Sequence, residues 1–440
     1  MLKLPLVIFH HRYYYIFVIL SKNQGDNHMS HVIGLKCREC GAEYPAAIQN
    51  TCFECFGPLE VNYDWEYIKE NISKEKIGKG PSSIWRYADL LPVEGTDYID
   101  LGAGFNKLHH AKNLGKELGL NELYILDESV NPTNSFKDRV TSVAVTKAIE
   151  FGATAVGCAS TGNLASAVAA HAAKAGLPSY IFIPASIELG KITQMSAYGP
   201  NIIAVDGTYD DANRLASEVA DMHPDWAFVN ITVRPYYTEG SKTLAYETAE
   251  QLGWQAPDHF VAPLASGALL CAIKRGYDEL AQLDLIDSSN IKVSGAQPLG
   301  CSPISCAVRE DKEVIPIKKM DTITHSLAIG NPADGYYAKK VILDSGGYAA
   351  SPTDDQIIDA IFLLARTEGI FTEPAGGTTI AGLKILVEEG RIDPDERTVV
   401  YVTGNGLKAQ DTLIKHTRIP QAIKPTFGEF EKQYAQLVVT

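Results

Sequence analysis

From about residue 90 onward, short apolar runs alternate with longer stretches of helical period, and this alternation decides the fold class. Leu123–Leu126, Ala155–Ser160, Tyr180–Pro184, Ile202–Val205, Phe260–Pro263, Val293–Ala296 and Val399–Val402 read as strands. Asp138–Phe151, Asn163–Ala175, Lys191–Tyr198, Tyr209–Met222, Gly240–Leu252, Leu269–Leu280, Asp354–Thr367 and Thr378–Glu389 read as helices. Strands that are apolar on both faces and separated by helices require helices packed against both sides of a parallel sheet. The expectation is therefore an α/β chain of doubly wound parallel sheets. At roughly 100–200 residues per domain, a chain of 440 residues holds two or three such units. Ligands in these sheets sit where strand carboxyl ends meet helix amino ends, so those junctions are where chemistry is to be sought.

Charge narrows the partners. Lys and Arg number 39 against 53 Asp and Glu, a net charge of −14, and no basic stretch resembles a nucleic-acid footprint. With 45% hydrophobic residues the chain folds as a soluble protein and is not disordered. The apolar run Leu4–Leu20 is broken by His10, His11 and Arg12. A spanning helix needs about 20 apolar residues, and an Arg near the bilayer centre costs roughly 3 kcal/mol. The uninterrupted part, Leu4–Phe9, is short and no small-x-small cleavage site follows it. Neither a nucleic acid nor a membrane is expected as partner. Residues 1–28 read as lying upstream of a start at Met29, and 1–32 as a non-native or disordered extension outside the fold.

The eight cysteines form two populations. Cys37-x2-Cys40 and Cys52-x2-Cys55, with Gly41 and Gly57-Pro58 after the knuckles, mark residues 33–62 as a small ribbon module. Two such pairs bring four thiolates to one tetrahedral ion, most simply a structural zinc with no open coordination position. Cys158, Cys271, Cys301 and Cys306 are scattered and read as small hydrophobes or unpaired thiols.

Four junctions carry chemistry. In Asn131-Pro-Thr-Asn-Ser-Phe-Lys-Asp-Arg139, the residues Thr133, Asn134 and Ser135 are candidate helix caps, and Lys137 falls in the first turn. The positive field of a helix amino end favours a neutral amine there, the form in which a lysine attacks an aldehyde. Ala159-Ser-Thr-Gly-Asn-Leu164 runs from strand into helix and offers a free helix amino end to an anion or a polar ring substituent. Along Val261–Leu270, the amides of Ala265, Ser266, Gly267, Ala268 and Leu269 are placed to wrap a phosphate, and Ser266 adds a hydroxyl. Thr403-Gly-Asn-Gly406 follows an apolar strand and sets a hydroxyl where a heterocyclic nitrogen can reach it; Phe371–Gly377 is a further candidate wall. Competing signals fail. Gly102-Ala-Gly104 lacks the third glycine of a dinucleotide fingerprint, Gly240-Ser-Lys-Thr243 has the wrong spacing for a P-loop, and no GxSxG elbow occurs.

In this order, the motifs resemble the fold-type II pyridoxal-phosphate enzymes, and most closely the threonine synthases. Ser135-Phe-Lys-Asp-Arg139 is similar to their cofactor-lysine motif, Ser160-Thr-Gly-Asn163 to the loop clasping the ring, and Thr403-Gly-Asn-Gly-Leu-Lys408 to the pyridine-nitrogen segment. Gly240–Thr243 and Ile329-Gly-Asn-Pro-Ala-Asp-Gly335 also resemble family segments, over about residues 35–420, and the CxxC ribbon is that of one branch. The resemblance implies two doubly wound domains, a large one of 63–144 and 225–425 and a small one of 145–224, with the cofactor in the cleft and a tail at 426–440.

It further implies that Lys137 bonds pyridoxal 5′-phosphate and later shuttles protons, that Asn163 meets the ring oxygen, that Ala265–Leu269 hold the cofactor phosphate, and that Thr403 meets the ring nitrogen. The implied substrate is O-phospho-L-homoserine, converted with water to threonine and phosphate. Ser160, Thr161, Asn230 and Arg234 are the candidates for holding it. A cytoplasmic, symmetric homodimer is the expected form. Dehydratases and sulfur-amino-acid synthases share the fold and are the alternative reading; a catalytically dead ligand-binding paralogue is another, against which Lys137 stands. The chain departs from the family at Lys107 in Phe105-Asn-Lys-Leu108, at Asn134, at Leu164 and in a phosphate loop with a single glycine. Lys107 is expected near the pocket, with an effect on anion preference.

Overall fold

The computed structural model describes residues 30–438 except 188 and 418. The expectations for residues 1–28 fall outside them, whereas Val32, expected outside the fold, opens a strand of the ribbon paired with Tyr63.

The described residues form three sheets. The largest has the order Ala349–Ala350, Lys292–Ala296, His259–Pro263, Thr398–Val402, Leu123–Asp127, Leu108–His110, parallel except for the last pair. A second is wholly parallel: Asn201–Val205, Ser179–Pro184, Ala155–Ala159, Trp226–Phe228. Ala155–Ala159, His259–Pro263 and Thr398–Val402 are buried at every position, which is why these strands carry no polar alternation. The third is the antiparallel ribbon of Glu43–Tyr44, Val32–Cys37 and Leu59–Tyr63.

Several elements differ from expectation for identifiable reasons. Helices Arg234–Gln251 and Pro374–Glu388 begin six and four residues before the expected Gly240 and Thr378. Each carries a proline in its first turn, Pro235 and Pro374, where the missing N–H has no partner to lose. The helix expected at Lys191–Tyr198 runs Leu189–Ser196. The small sheet takes in Trp226–Phe228, so it extends past the expected boundary at 224. The 426–440 segment, expected as a tail, carries the helix Phe427–Val438.

Two helices set the site. Lys137–Glu150 carries the lysine, and Arg234–Gln251 crosses it so closely that a Cβ on Gly240 would lie 2.5 Å from the Arg139 carbonyl oxygen. Glycine at 240 is a packing requirement. Lys242, from the segment that mimicked a P-loop, is fully buried and donates to Glu279 at 2.9 Å while pairing with Glu239, so it serves the helix interface.

Candidate active site

The carboxyl ends of both parallel sheets face one cleft of about 630 Å³, lined by Lys137, Ser160, Thr161, Asn163, Asn230, Arg234, Ala265–Leu269 and Thr403. Every residue singled out for cofactor or substrate therefore lies on one surface. Lys107 does not: it is exposed and off the cleft, contrary to the position expected of it.

Lys137 is the first residue of its helix. The expected capping by Thr133, Asn134 or Ser135 does not occur: no side chain caps this helix, and Phe136 holds the cap position in helical geometry. Instead the fold reverses the roles. The Asp138 carboxylate accepts from the Thr133 N–H at 2.8 Å and its hydroxyl at 3.0 Å, which folds the turn back on the helix. Asn134 takes φ +65°, a region asparagine tolerates. The turn is also laced to the Thr403 segment. Phe136 N–H donates to the Thr403 carbonyl (3.0 Å), Asn405 N–H to the Asn134 carbonyl (3.0 Å), and Lys408 Nζ to the Thr133 carbonyl (2.6 Å). Burial draws the Lys408 ammonium down to about 8. The Lys137 and Thr403 segments, 266 residues apart in sequence, are thus joined in one wall.

Lys137 Nζ donates to the Tyr237 hydroxyl at 2.7 Å. Tyr237 was not legible beforehand, because helix Arg234–Gln251 seemed to begin after it; it lies one turn beyond Arg234, on the same side. Glu373, within the Phe371–Gly377 wall, accepts from Asn163 Nδ2 at 2.7 Å.

The residues fit pyridoxal phosphate. Asn163 is turned so that its Oδ1 is buried without a partner, an orphan that a bound ring substituent resolves. Gly267 stands at φ +94° before helix Ala268–Gln282, which has no side-chain cap; the Ala268 N–H meets the Ser266 hydroxyl only at 3.5 Å, so the helix amino end offers its amides to an anion. A Cβ at 267 would come within 2.8 Å of the Asp334 carbonyl oxygen, so the cradle admits only glycine. Thr403 is buried on the wall that carries Lys137.

The substrate candidates behave differently from one another. Arg234 reaches the cleft edge and pairs with Asp334. Ser160 Oγ accepts from Gly162 N–H and Ala165 N–H, each at 3.0 Å, and keeps its own proton to donate. Thr161 lines the cleft half-buried. Asn230 spends its amide on the Ala159 backbone, accepting at 3.3 Å and donating at 3.1 Å, so it fixes the strand end.

Away from the cleft, Cys37, Cys40, Cys52 and Cys55 place four Sγ atoms within 4.8 Å of one another. The Cys37–Cys55 and Cys40–Cys52 edges are 3.4 and 3.6 Å, close to the edge of about 3.8 Å that zinc–sulfur bonds of about 2.3 Å give a tetrahedron. Amides of Glu54 and Gly57 point at Cys52 and Cys55, as thiolates require.

Residues 99–404 match the family described as pyridoxal-phosphate dependent enzyme. The threonine synthase of Methanocaldococcus jannaschii is 42% identical over 88% of this chain and 96% of its own, and that of Methanosarcina acetivorans 38% identical over 88% and 95%. Among solved structures, the processed threonine deaminase isoform 2 of Solanum lycopersicum superposes with a TM-score of 0.60 at 23% identity, covering 71% of this chain and 87% of that one, a likeness of fold. The chain belongs to the pyridoxal-phosphate dependent enzymes and, within them, to the threonine synthase family.

Proposed function

We infer that the chain converts O-phospho-L-homoserine and water to L-threonine and phosphate, a carbon–oxygen lyase reaction with replacement at Cβ. The observation that carries this reading is the meeting of Lys137, the open amides at Ala265–Leu269 and the guanidinium of Arg234 in one cleft large enough for a cofactor and a small amino acid. Bound there, pyridoxal phosphate draws electrons from the substrate α-carbon and so makes its proton, and then that of Cβ, removable.

The chain supplies the rest. Lys137 would hold the cofactor at rest and, when the substrate amine takes its place, would have a free amine beside Tyr237 Oη. From there Nζ would take the Cα proton, the Cβ proton as phosphate leaves Cγ, and one from the water that adds at Cβ, and would return protons to Cγ, to Cα and to the released phosphate. Thr403 offers the ring nitrogen a hydroxyl, which does not enforce ring protonation as a carboxylate would. Asn163, which lines the cleft, stays tied to Glu373 through Nδ2. Arg234 receives the substrate phosphate with its forked donors, and Ser160 adds a hydroxyl proton. Asn230 contributes by fixing the Ala159 strand end.

The four ribbon cysteines hold a structural zinc in this reading, and the active form is a symmetric cytoplasmic homodimer. Among the described residues no helix is long and apolar enough to cross a membrane.

Turnover in ¹⁸O-labelled water tests the reaction. Elimination and replacement put the label in the threonine hydroxyl and leave the released phosphate unlabelled. Label in phosphate, with homoserine as product, would identify simple ester hydrolysis and defeat the reading.

A further inference from the structure

The ion pair between Arg234 and Asp334 sits where two cavities meet. Arg234 lines the main cleft and also a second cavity of about 270 Å³, whose wall includes Asp334. The aspartate is not free to swing away, because its chain segment is anchored on two sides. Asp334 N–H donates to the Ser266 carbonyl at 2.9 Å, and the Asp334 carbonyl packs against Gly267, which ties the segment to the candidate phosphate loop. Three residues on, the Tyr337 hydroxyl donates to Glu39 and its ring lies 3.7 Å beneath the Arg38 guanidinium, which ties the segment to the cysteine ribbon. The Asp334 side chain is only 12% exposed, so its charge is poorly screened by water.

We propose that Asp334 is a fixed counter-charge on the substrate-phosphate subsite, weakening the hold of Arg234 on free phosphate so that the cleaved anion leaves. The proposal rests on the reading that Arg234 receives the substrate phosphate. A guanidinium already paired with a carboxylate still has N–H groups to offer, but an arriving phosphate meets the negative charge of Asp334 a few ångströms away. The phosphate ester offsets that repulsion through its amino-acid end, which is held elsewhere in the cleft. Inorganic phosphate has no second handle and bears the whole penalty. The aspartate thus acts on the difference between substrate and product, through Arg234, and is a positioning and specificity residue that touches no reacting atom.

The test uses holoenzyme and inorganic phosphate as probe, by calorimetry and by product inhibition. Asp334→Asn keeps an acceptor for Arg234 and leaves the backbone anchors in place. It should bind phosphate at least tenfold more tightly, with a lower kcat from slowed release and a lower KM for O-phosphohomoserine. Inhibition by L-homoserine, which lacks the phosphate, should not change; a loss of packing alone would move both inhibitors. Asp334→Ser serves the same comparison should the Asn variant lose its cofactor. Phosphate binding that is unchanged or weaker in the cofactor-loaded variant overturns the proposal. Arg234→Gln separates the two readings. If it weakens phosphate while Asp334→Asn fails to strengthen it, only the counter-charge is wrong; if it leaves phosphate and KM untouched, the subsite itself is misassigned.

Discussion

Arg139, two residues beyond Lys137, holds three buried partners at once. It is fully buried, grips Glu128 with Nε at 2.6 Å and Nη2 at 2.7 Å, reaches Glu247 at 2.9 Å, and donates through Nη1 to Thr243 at 3.1 Å. Glu128 and Glu247 are buried as completely, so one cation faces two carboxylates. Burial, with Glu128 adding to it, raises the Glu247 carboxyl despite the arginine. Arg139→Met is close in length and leaves both acids without their cation. Removing one partner of a buried pair costs about 3–5 kcal/mol, a large part of the roughly 5–15 kcal/mol that holds a folded protein together.

The sign with pH follows. In the variant Glu247 loses the cation that opposes its upward shift, so its folded-state pKa lies further above the unfolded one, the folded form binds more protons, and the destabilisation is full near neutrality and shrinks as pH falls towards 5. Urea unfolding of wild type and variant at pH 7.5 and 5.5 measures both quantities. A loss under about 1 kcal/mol at pH 7.5, or a deficit equal at the two pH values, would refute the argument that the triad is held by uncompensated burial. Because the same helix begins with Lys137, the lysine-bound cofactor band at about 410–420 nm should weaken in parallel.

Three further outcomes are expected. Gly267→Ala must set a Cβ 2.8 Å from the Asp334 carbonyl oxygen at φ +94°, so pyridoxal-phosphate affinity should fall at least about tenfold; spectral titration showing wild-type affinity would contradict the cradle. His171 donates Nδ1–H to the Ala167 carbonyl at 2.9 Å, and burial lowers its pKa from 6.5 to about 4, so it folds neutral. The unfolded chain takes up a proton first, and about 3 kcal/mol of stability is lost as pH falls from 6.5 to about 4. Asp138, raised by burial to about 6, acts in the opposite sense over most of that window, so His171→Leu should flatten or invert the acid limb of a stability–pH profile; an unaltered limb contradicts the assignment. The double change Cys40→Ser and Cys55→Ser should abolish about one bound zinc per chain and make residues 33–62 protease-sensitive, and metal content equal to wild type would remove the ribbon from consideration as the zinc site.

The site was legible where its residues fall at strand-to-helix junctions. Small residues and turn formers at Ser160–Asn163, Ala265–Leu269 and Thr403–Gly406 announce backbone that must approach a ligand, and the cleft is lined by residues from each of the three stretches. The ribbon was legible from cysteine spacing alone. What escaped notice depends on contacts across the chain. Asp334 lies in an irregular stretch and acquires meaning only beside Arg234, and Tyr237 only beside Lys137, each pair 100 residues apart. Helix starts at Arg234 and Pro374 were hidden because these helices are buried nearly all round, leaving no polar stripe to mark their period. The cap at Lys137 misled for a related reason: Thr133 is used as a donor to Asp138, a partner five residues on, instead of capping the helix itself. Lys107 is an exposed residue of the segment before strand Leu108–His110, and sequence position alone gave no sign that it turns away from the cleft.

The central claim is that Lys137 and its cleft turn O-phosphohomoserine into threonine. Phosphate and threonine measured in the same tube, with Lys137→Ala as control, test it most directly. The account predicts equal yields of the two products from the wild type and neither from the variant. Phosphate without threonine, or threonine formed at the wild-type rate by Lys137→Ala, would contradict it.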